Sequence, residues 1–142
     1  MERRKNLTIL LLVLVLVFFS GRTVFAGSIV AWGSQVVGTD LSDGFTSISA
    51  RGYHSLGLKQ DGSIIAWGNS HYGQCEVPSP NSSFIAIAAG GGWDLYHKGH
   101  SLGLKADGSI VAWGDNTRRQ CNIPSPNSGF IAIAAGGSYS LG

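Results

Sequence analysis

Charge is scarce in this chain: ten lysines and arginines and eight acidic residues in 142 positions, a formal +2. Arg3, Arg4, Lys5 and Arg22 precede Gly27, and from Gly27 onward six basic residues meet seven acidic ones, a net charge of −1. Nucleic-acid binding needs a basic stripe that displaces counterions, and this balance argues against it. Long apolar runs are also missing. The longest, Ile9 to Phe19, has 11 residues, whereas a bilayer crossing takes ~20. Cysteine occurs twice, at Cys75 and Cys121. What the chain has in quantity is glycine, 21 residues, and with few charges that composition suits tight turns and short buried strands better than long amphipathic helices.

The first 26 residues read as a leader. Arg3, Arg4 and Lys5 give a positive start, Ile9–Phe19 is the apolar region, and Val24 and Ala26 stand three and one residues before Gly27. That is the small-residue pattern of a secretory signal peptide cut after Ala26. It predicts export to the extracellular or periplasmic space, the alternative being an uncleaved anchor. No cysteine lies near the cut, which argues against lipid anchoring.

Residues 27–142 are built from a repeat. His54–Gly91 recurs as His100–Gly137, 46 positions later, with 28 of 38 residues identical. Periodicity of this size marks solenoids, propellers or arrays, in which neighbouring copies supply each other's core. Each unit has a strand-like run (Phe84–Ala89, FIAIAA, and Phe130–Ala135; more loosely Phe45–Ala50) followed by His-Ser-Leu-Gly-Leu-Lys at His54 and His100. Asp61-Gly62 and Asp107-Gly108 then lead into Ser63–Trp67 and Ser109–Trp113. Two apolar runs joined by Asp-Gly predict a hairpin, here of the two-residue type I′ kind. A polar loop, Cys75–Asn81 and Cys121–Asn127, closes the unit.

Fragments flank these two units. Gly27–Gly33 (GSIVAWG) matches Gly62–Gly68 without the strands that should precede it, and Ser140-Leu141-Gly142 repeats Ser101-Leu102-Gly103. The spacing from Ser101 to Ser140 is 39 residues against 46 from Ser55 to Ser101, so seven extra residues lie between Gly91 and His100. Strands such as FIAIAA are apolar on both faces, which in an all-β chain puts each sheet between two others. A partial β-propeller, about two full blades plus fragments of neighbours, satisfies the period, the hairpin and the two-faced burial together. A closed ring takes at least four blades of ~40 residues, so the expectation is either a coding sequence truncated after Gly142 or assembly of several chains through open blade edges.

The order I-A-A-G-G, H-S-L-G-L-K-x-D-G-S-I-[IV]-A-W-G and Q-C-x-[VI]-P resembles the repeat of the regulator of chromosome condensation family. In wording it is nearest to the secreted bacterial branch and is similar to the propellers that inhibit β-lactamases. The resemblance covers residues 27–142. It implies a seven-bladed propeller with four-stranded blades and a binding function. Nuclear members exchange nucleotide on a small GTPase and bind chromatin, a role that an exported, weakly acidic chain does not suit. Trp32, Trp67 and Trp113 stand at equivalent places and read as blade packing.

Apparent catalytic motifs dissolve against the repeat. Gly99-His100-Ser101-Leu102-Gly103 matches G-x-S-x-G, but that motif works on a strand-to-helix elbow and this serine leads into a hairpin. His-Ser-Leu-Gly recurs at His54, which marks scaffold. Asp94, His97 and His100 lack a fourth metal ligand, Gly90–Gly92 lacks the lysine and helix of a phosphate loop, and Asp61 and Asp107 are turn residues. Cys75 and Cys121 occupy equivalent points of successive units. Packed sheets lie ~10 Å apart, beyond the ~7 Å Cα reach of a disulfide, so no bond between them is expected. No catalytic residue, metal or cofactor is assigned.

Differences between copies point to function instead. Five of the ten fall where Asn69-Ser70-His71-Tyr72-Gly73 becomes Asp115-Asn116-Thr117-Arg118-Arg119. In an up-and-down meander this loop shares a rim with the insertion Gly92–Gly99, which carries Trp93 and Tyr96. Large aromatics and arginines anchor protein interfaces because they bury much area for little lost rotamer freedom. The predicted partner-binding residues are therefore Trp93, Tyr96, His71, Tyr72, Arg118 and Arg119; the alternative for the first two is folding back onto the blade edge. The expected function is a secreted scaffold that binds a protein through one rim without catalysis. Alternatives are an inhibitor of a secreted enzyme such as a β-lactamase or protease, and a non-functional fragment of a longer propeller.

Overall fold

The computed structural model describes residues 44–92 and 98–142, so the expected leader, Trp32, and the insertion residues Trp93, Asp94, Tyr96 and His97 lie outside the described residues. The chain folds as β1 (Phe45–Arg51), β2 (His54–Lys59), β3 (Ile64–Gly68), β4 (Phe84–Gly91), β5 (Gly99–Lys105), β6 (Ile110–Gly114), β7 (Ala134–Ala135) and β8 (Ser140–Leu141). These strands form antiparallel sheets in the orders β1-β2-β3, β4-β5-β6 and β7-β8. Sequence neighbours pair in every case, so each repeat is one meandering sheet, and the whole is a partial β-propeller.

The two-faced burial read from FIAIAA is realised in β4 at Ala88 and Ala89, while Ile85 near its start is 57% exposed. Ala89 packs with Leu56, Leu58, Ile64, Phe84 and Trp113 between the first two sheets. Its neighbour Ala88 joins Leu102, Leu104 and Ile110 on the opposite side, where Phe130, Ile133 and Ala135 of the third unit close over them. Side chains alternate across a strand, so consecutive alanines serve two different interfaces. Small residues there let the sheets approach closely.

Glycine inside the second strand of each blade has a packing reason. A Cβ on Gly57 would sit 2.5 Å from the Phe45 ring, and one on Gly103 would sit 2.5 Å from the Phe84 ring. The phenylalanine that opens each blade thus lies across the glycine of the neighbouring strand.

The Asp-Gly hairpins form, but not as two-residue type I′ turns. The Lys59 amide donates to the Ser63 carbonyl and the Gly62 amide to the Lys59 carbonyl, leaving a three-residue loop, Gln60-Asp61-Gly62. Only Gly62 in it has positive φ, 78°. Asp61 stays in a negative-φ conformation because its carboxylate accepts from both the amide (2.9 Å) and the hydroxyl (2.6 Å) of Ser63. The second hairpin repeats this at Asp107 and Ser109.

Each described sheet has at most three strands, where the family resemblance implied four. At the outer edge of β3 the place of a fourth strand is taken at Ile64 by a side chain. The Asn81 amide accepts from the Ile64 amide (2.7 Å) and donates to the Ile64 carbonyl (2.8 Å). Asn127 does the same for Ile110. The Pro-Ser-Pro-Asn loop is therefore an edge clamp.

Candidate partner-binding rim

Antiparallel order places the ends of β1, β3, β4 and β6 at one rim and the Asp-Gly turns at the other. The Asp-Gly rim is occupied by scaffold: Lys59 and Lys105 lie over the rings of Phe45 and Phe84, 5.7 and 5.0 Å from their centroids. Hydrogen bonds from Ser63 and Ser109 hold the Asp61 and Asp107 carboxyls below the usual carboxylate range. The opposite rim carries the variable loops.

Those loops have a fixed base and a free tip. In the first, buried Gln74 accepts from the Tyr72 amide (2.8 Å) and donates to Asn69 (3.1 Å), while Asn69 also accepts from the His71 amide (3.0 Å). In the second, Gln120 accepts from the Arg118 amide (2.8 Å) and donates to Asp115 (2.7 Å), and Asp115 accepts from the Thr117 amide (3.2 Å). The acceptor at positions 69 and 115 and the glutamine at 74 and 120 fix one loop conformation for two different tips. Residues 71–73 and 117–119 project from it.

At the tips, His71 is exposed and Tyr72 half-buried, their rings meeting edge-on at 5.1 Å. Lys98, at the far end of the insertion, places its ammonium 5.9 Å from the Tyr72 centroid. Lys98 and the first variable loop therefore meet on the same rim. Arg118 and Arg119 are both exposed and line a cavity of about 410 Å³ with Leu102, Ile110, Phe130 and Tyr139. Of the six residues predicted from sequence, the structure puts His71, Tyr72, Arg118 and Arg119 on this rim; Trp93 and Tyr96 lie outside the described residues.

Arg119 has a backbone that arginine rarely adopts. Its φ is 64°, and the equivalent Gly73 has φ 76°. The loop conformation asks for glycine at this point, and one copy supplies it. A non-glycine residue in the left-handed region costs ~1–2 kcal/mol, and such outliers collect at functional sites.

Tyr139 was not singled out by sequence. It occupies the place of His54 and His100 in the third unit, over Gly136 as His100 lies over Gly90, and is 61% exposed. In the sequence, Tyr139 precedes Ser140-Leu141-Gly142 as His100 precedes Ser101-Leu102-Gly103.

The apparent serine nucleophile is structural. Ser101 is fully buried, and its hydroxyl donates to the Gln74 carbonyl at 2.8 Å. That uses its one proton, so the 3.0 Å contact with His54 Nε2 is a bond the imidazole donates. A general base would need the reverse polarity. Gln74 O also accepts from Trp113 Nε1 at 2.9 Å. The unit recurs one blade on, with His100 Nε2 3.0 Å from Ser140 and Ser140 donating to Gln120 O at 2.7 Å. These relays tie each blade to the next.

Cys75 and Cys121 are free thiols, half-buried, each donating to the carbonyl that begins its loop, Asn69 and Asp115, at 3.4 Å. Burial raises the Cys75 thiol, and burial with the nearby Asp115 charge pushes Cys121 up to about 11. Low-pKa reactive cysteines are the opposite case.

Residues 45–74 and 98–120 match the family model of the regulator of chromosome condensation (RCC1) repeat. The matched stretches take in strands of both described three-stranded sheets. Among solved structures, the chain is similar to the ectodomain of the Arabidopsis thaliana receptor kinase ACR4, at 27% identity over 79% of this chain and 36% of that one, with a TM-score of 0.52. It is also similar to Prp20p of Saccharomyces cerevisiae, a protein with binding properties toward Gsp1p and histones, at 19% identity over 68% of this chain and 30% of that one, TM-score 0.51. A third likeness is the C-terminal domain of gp131 from bacteriophage phiKZ, 22% identical over 66% of this chain and 24% of that one, TM-score 0.50. The chain thus spans about a third of the length of the first two. No curated protein sequence matches it. The likenesses show the β-propeller fold.

Proposed function

We propose that this protein is an exported RCC1-repeat scaffold that binds a protein partner through the rim formed by His71, Tyr72, Arg118 and Arg119, with Trp93 and Tyr96 of the insertion contributing. The observation that carries the reading is Arg119 at φ 64° where the sister loop has Gly73. The rest of that loop is over-determined by Asp115 and Gln120, so the strained arginine adds nothing the scaffold needs. What it adds is a second exposed guanidinium beside Arg118, and arginine paired with aromatics is the usual chemistry of interface anchors. Export rests on the leader-like residues 1–26 and fits an extracellular or periplasmic partner. Prp20p, built on the same fold, has Gsp1p and histones as partners; the weakly acidic chain here points to a different one.

The test is recovery of a partner from the extracellular medium by the wild-type protein, by Arg118→Ala/Arg119→Gly, and by Trp93→Ala/Tyr96→Ala. The reading expects one or more bands that are lost in both variants while thermal unfolding stays cooperative. Equal recovery by all three folded proteins would overturn it. An enzyme panel containing a β-lactamase and secreted proteases separates the sharper inhibitor reading from simple binding.

A further inference from the structure

The charges of the described residues are sorted between the two rims. At the Asp-Gly rim, Lys59 and Lys105 are matched by Asp61 and Asp107. Arg51 ends β1, Lys98 stands immediately before β5, and Arg118 and Arg119 lie in the loop after β6, so the other four cations all fall on the variable-loop rim. Two described acids share it, Glu76 and Asp115. Asp115 is buried, its carboxylate engaged by the Thr117 amide and hydroxyl and by Gln120. Glu76 is exposed. Adding Asp94 from the sequence of the insertion still leaves four cations to two carboxylates besides Asp115.

Arg51, absent from the rim read out of the sequence, is tied into it by backbone groups of the second blade. Its Nε donates to the Gly91 carbonyl at 3.0 Å. Gly91 pairs with Gly99, and the Gly99 carbonyl accepts from the Asp115 amide at 2.8 Å. Arg51 and the loop that carries Arg118 and Arg119 are thus anchored on one transverse row of the second sheet, two strand spacings or ~10 Å apart. The loop itself is held by Gln120 and Asp115. Among the described residues none of these three guanidiniums meets a carboxylate.

A guanidinium presents paired donors that match a carboxylate bidentately. Donors held in place beforehand lose less freedom on binding it. We propose that the variable-loop rim takes a protein face carrying clustered aspartate and glutamate side chains, and that Arg51 is a contact residue there together with Arg118 and Arg119. The inference rests on this rim being the binding surface and adds the chemistry of what it binds. Two copies of this chain meeting rim to rim would set the same cations against each other, so the surface does not suit self-association. Three guanidiniums on a short stretch, with His71 and Tyr72 on the same rim, also differ from the extended basic stripe that tracks a phosphate backbone. Complementary charge speeds encounter and fixes register, and at an exposed rim it is screened by salt.

The probe is a fluorescein-labelled oligoglutamate peptide, titrated by anisotropy against protein expressed from the full chain. The inference expects saturable binding that weakens about threefold or more in Arg51→Gln and in Arg118→Ala/Arg119→Gly, is unchanged in Lys59→Gln/Lys105→Gln on the opposite rim, and is lost at high salt. Arg51→Gln removes the charge yet keeps an N–H for the Gly91 carbonyl, and cooperative thermal unfolding checks the fold of each variant. No saturable binding, equal losses from variants of either rim, or tighter capture of inorganic polyphosphate of matched charge would overturn it. Recovery of a partner from the extracellular medium separates this inference from the rim reading. A partner lost with Arg118→Ala/Arg119→Gly, alongside an oligoglutamate titration that Arg51→Gln leaves unchanged, sinks the acidic-partner inference alone. Equal partner recovery by every folded variant sinks the rim reading and the inference with it.

Discussion

His54 of the first blade donates its Nε2 proton to Ser101 of the second across 3.0 Å, and neither side chain is open to solvent. Burial, with the nearby His100, lowers His54 from 6.5 to about 4, and burial lowers His100 as well. Both imidazoles are therefore neutral in the folded protein near pH 7. Between pH 6.5 and 4 the unfolded chain binds protons that the folded one refuses. Stability is then full above about pH 6.5, falls as pH drops toward 4, and levels off below it. For His54 alone the loss is about 3 kcal/mol, from 1.36 kcal/mol per pKa unit. Urea unfolding at pH 7.5, 6, 5 and 4 checks the slope, and His54→Gln should flatten it while lowering stability at pH 7.5. A wild-type profile that is flat from pH 7.5 to 4 would contradict the buried neutral relay.

Arg119→Gly should raise stability by about 1 kcal/mol, since the left-handed conformation suits glycine and the guanidinium has no scaffold role. The reverse change, Gly73→Arg, should lower it by a similar amount. Thermal unfolding of the two variants reads the difference directly; opposite signs are required.

Gly57→Ala and Gly103→Ala each force a methyl to 2.5 Å from a phenyl ring. Overpacking of this kind costs roughly 1–3 kcal/mol. Adding Phe45→Leu to Gly57→Ala should recover part of the loss, as a double-mutant cycle would show.

Asn81→Ala removes both hydrogen bonds that cap Ile64 and leaves a half-buried strand edge unpaired. At about 1 kcal/mol per bond, a loss near 2 kcal/mol is expected in chemical unfolding, and Asn127→Ala should match it. Asn81→Asp, which keeps the acceptor and loses the donor, should fall between.

Much of this was legible from the chain. The unbroken apolar run Phe84–Ala89 implies burial on both faces, and Ala88 and Ala89 do serve different interfaces. The hairpin was legible from Asp61-Gly62, but its length was not: Asp61 and Ser63 satisfy each other, and that local bond makes the three-residue loop available. Opaque to sequence were contacts between units. His54 finds Ser101, 47 residues away, rather than its own neighbour Ser55, and Asn81 reaches back 17 residues to Ile64. Such pairs depend on how blades stack. The rim was predicted from where the copies differ, and the strain at Arg119 could not be read from sequence without knowing that Gly73 is left-handed.

The loop exchange is the most direct test of the rim. Replacing Asp115-Asn116-Thr117-Arg118-Arg119 by Asn-Ser-His-Tyr-Gly installs in the second blade the loop that the first already holds on the same buried glutamine frame. With a partner recovered from the medium, its Kd for this protein and for wild type is measured by titration. A stable exchange variant whose affinity drops tenfold or more is the result the account predicts. An equally stable variant that binds with unchanged affinity would contradict it.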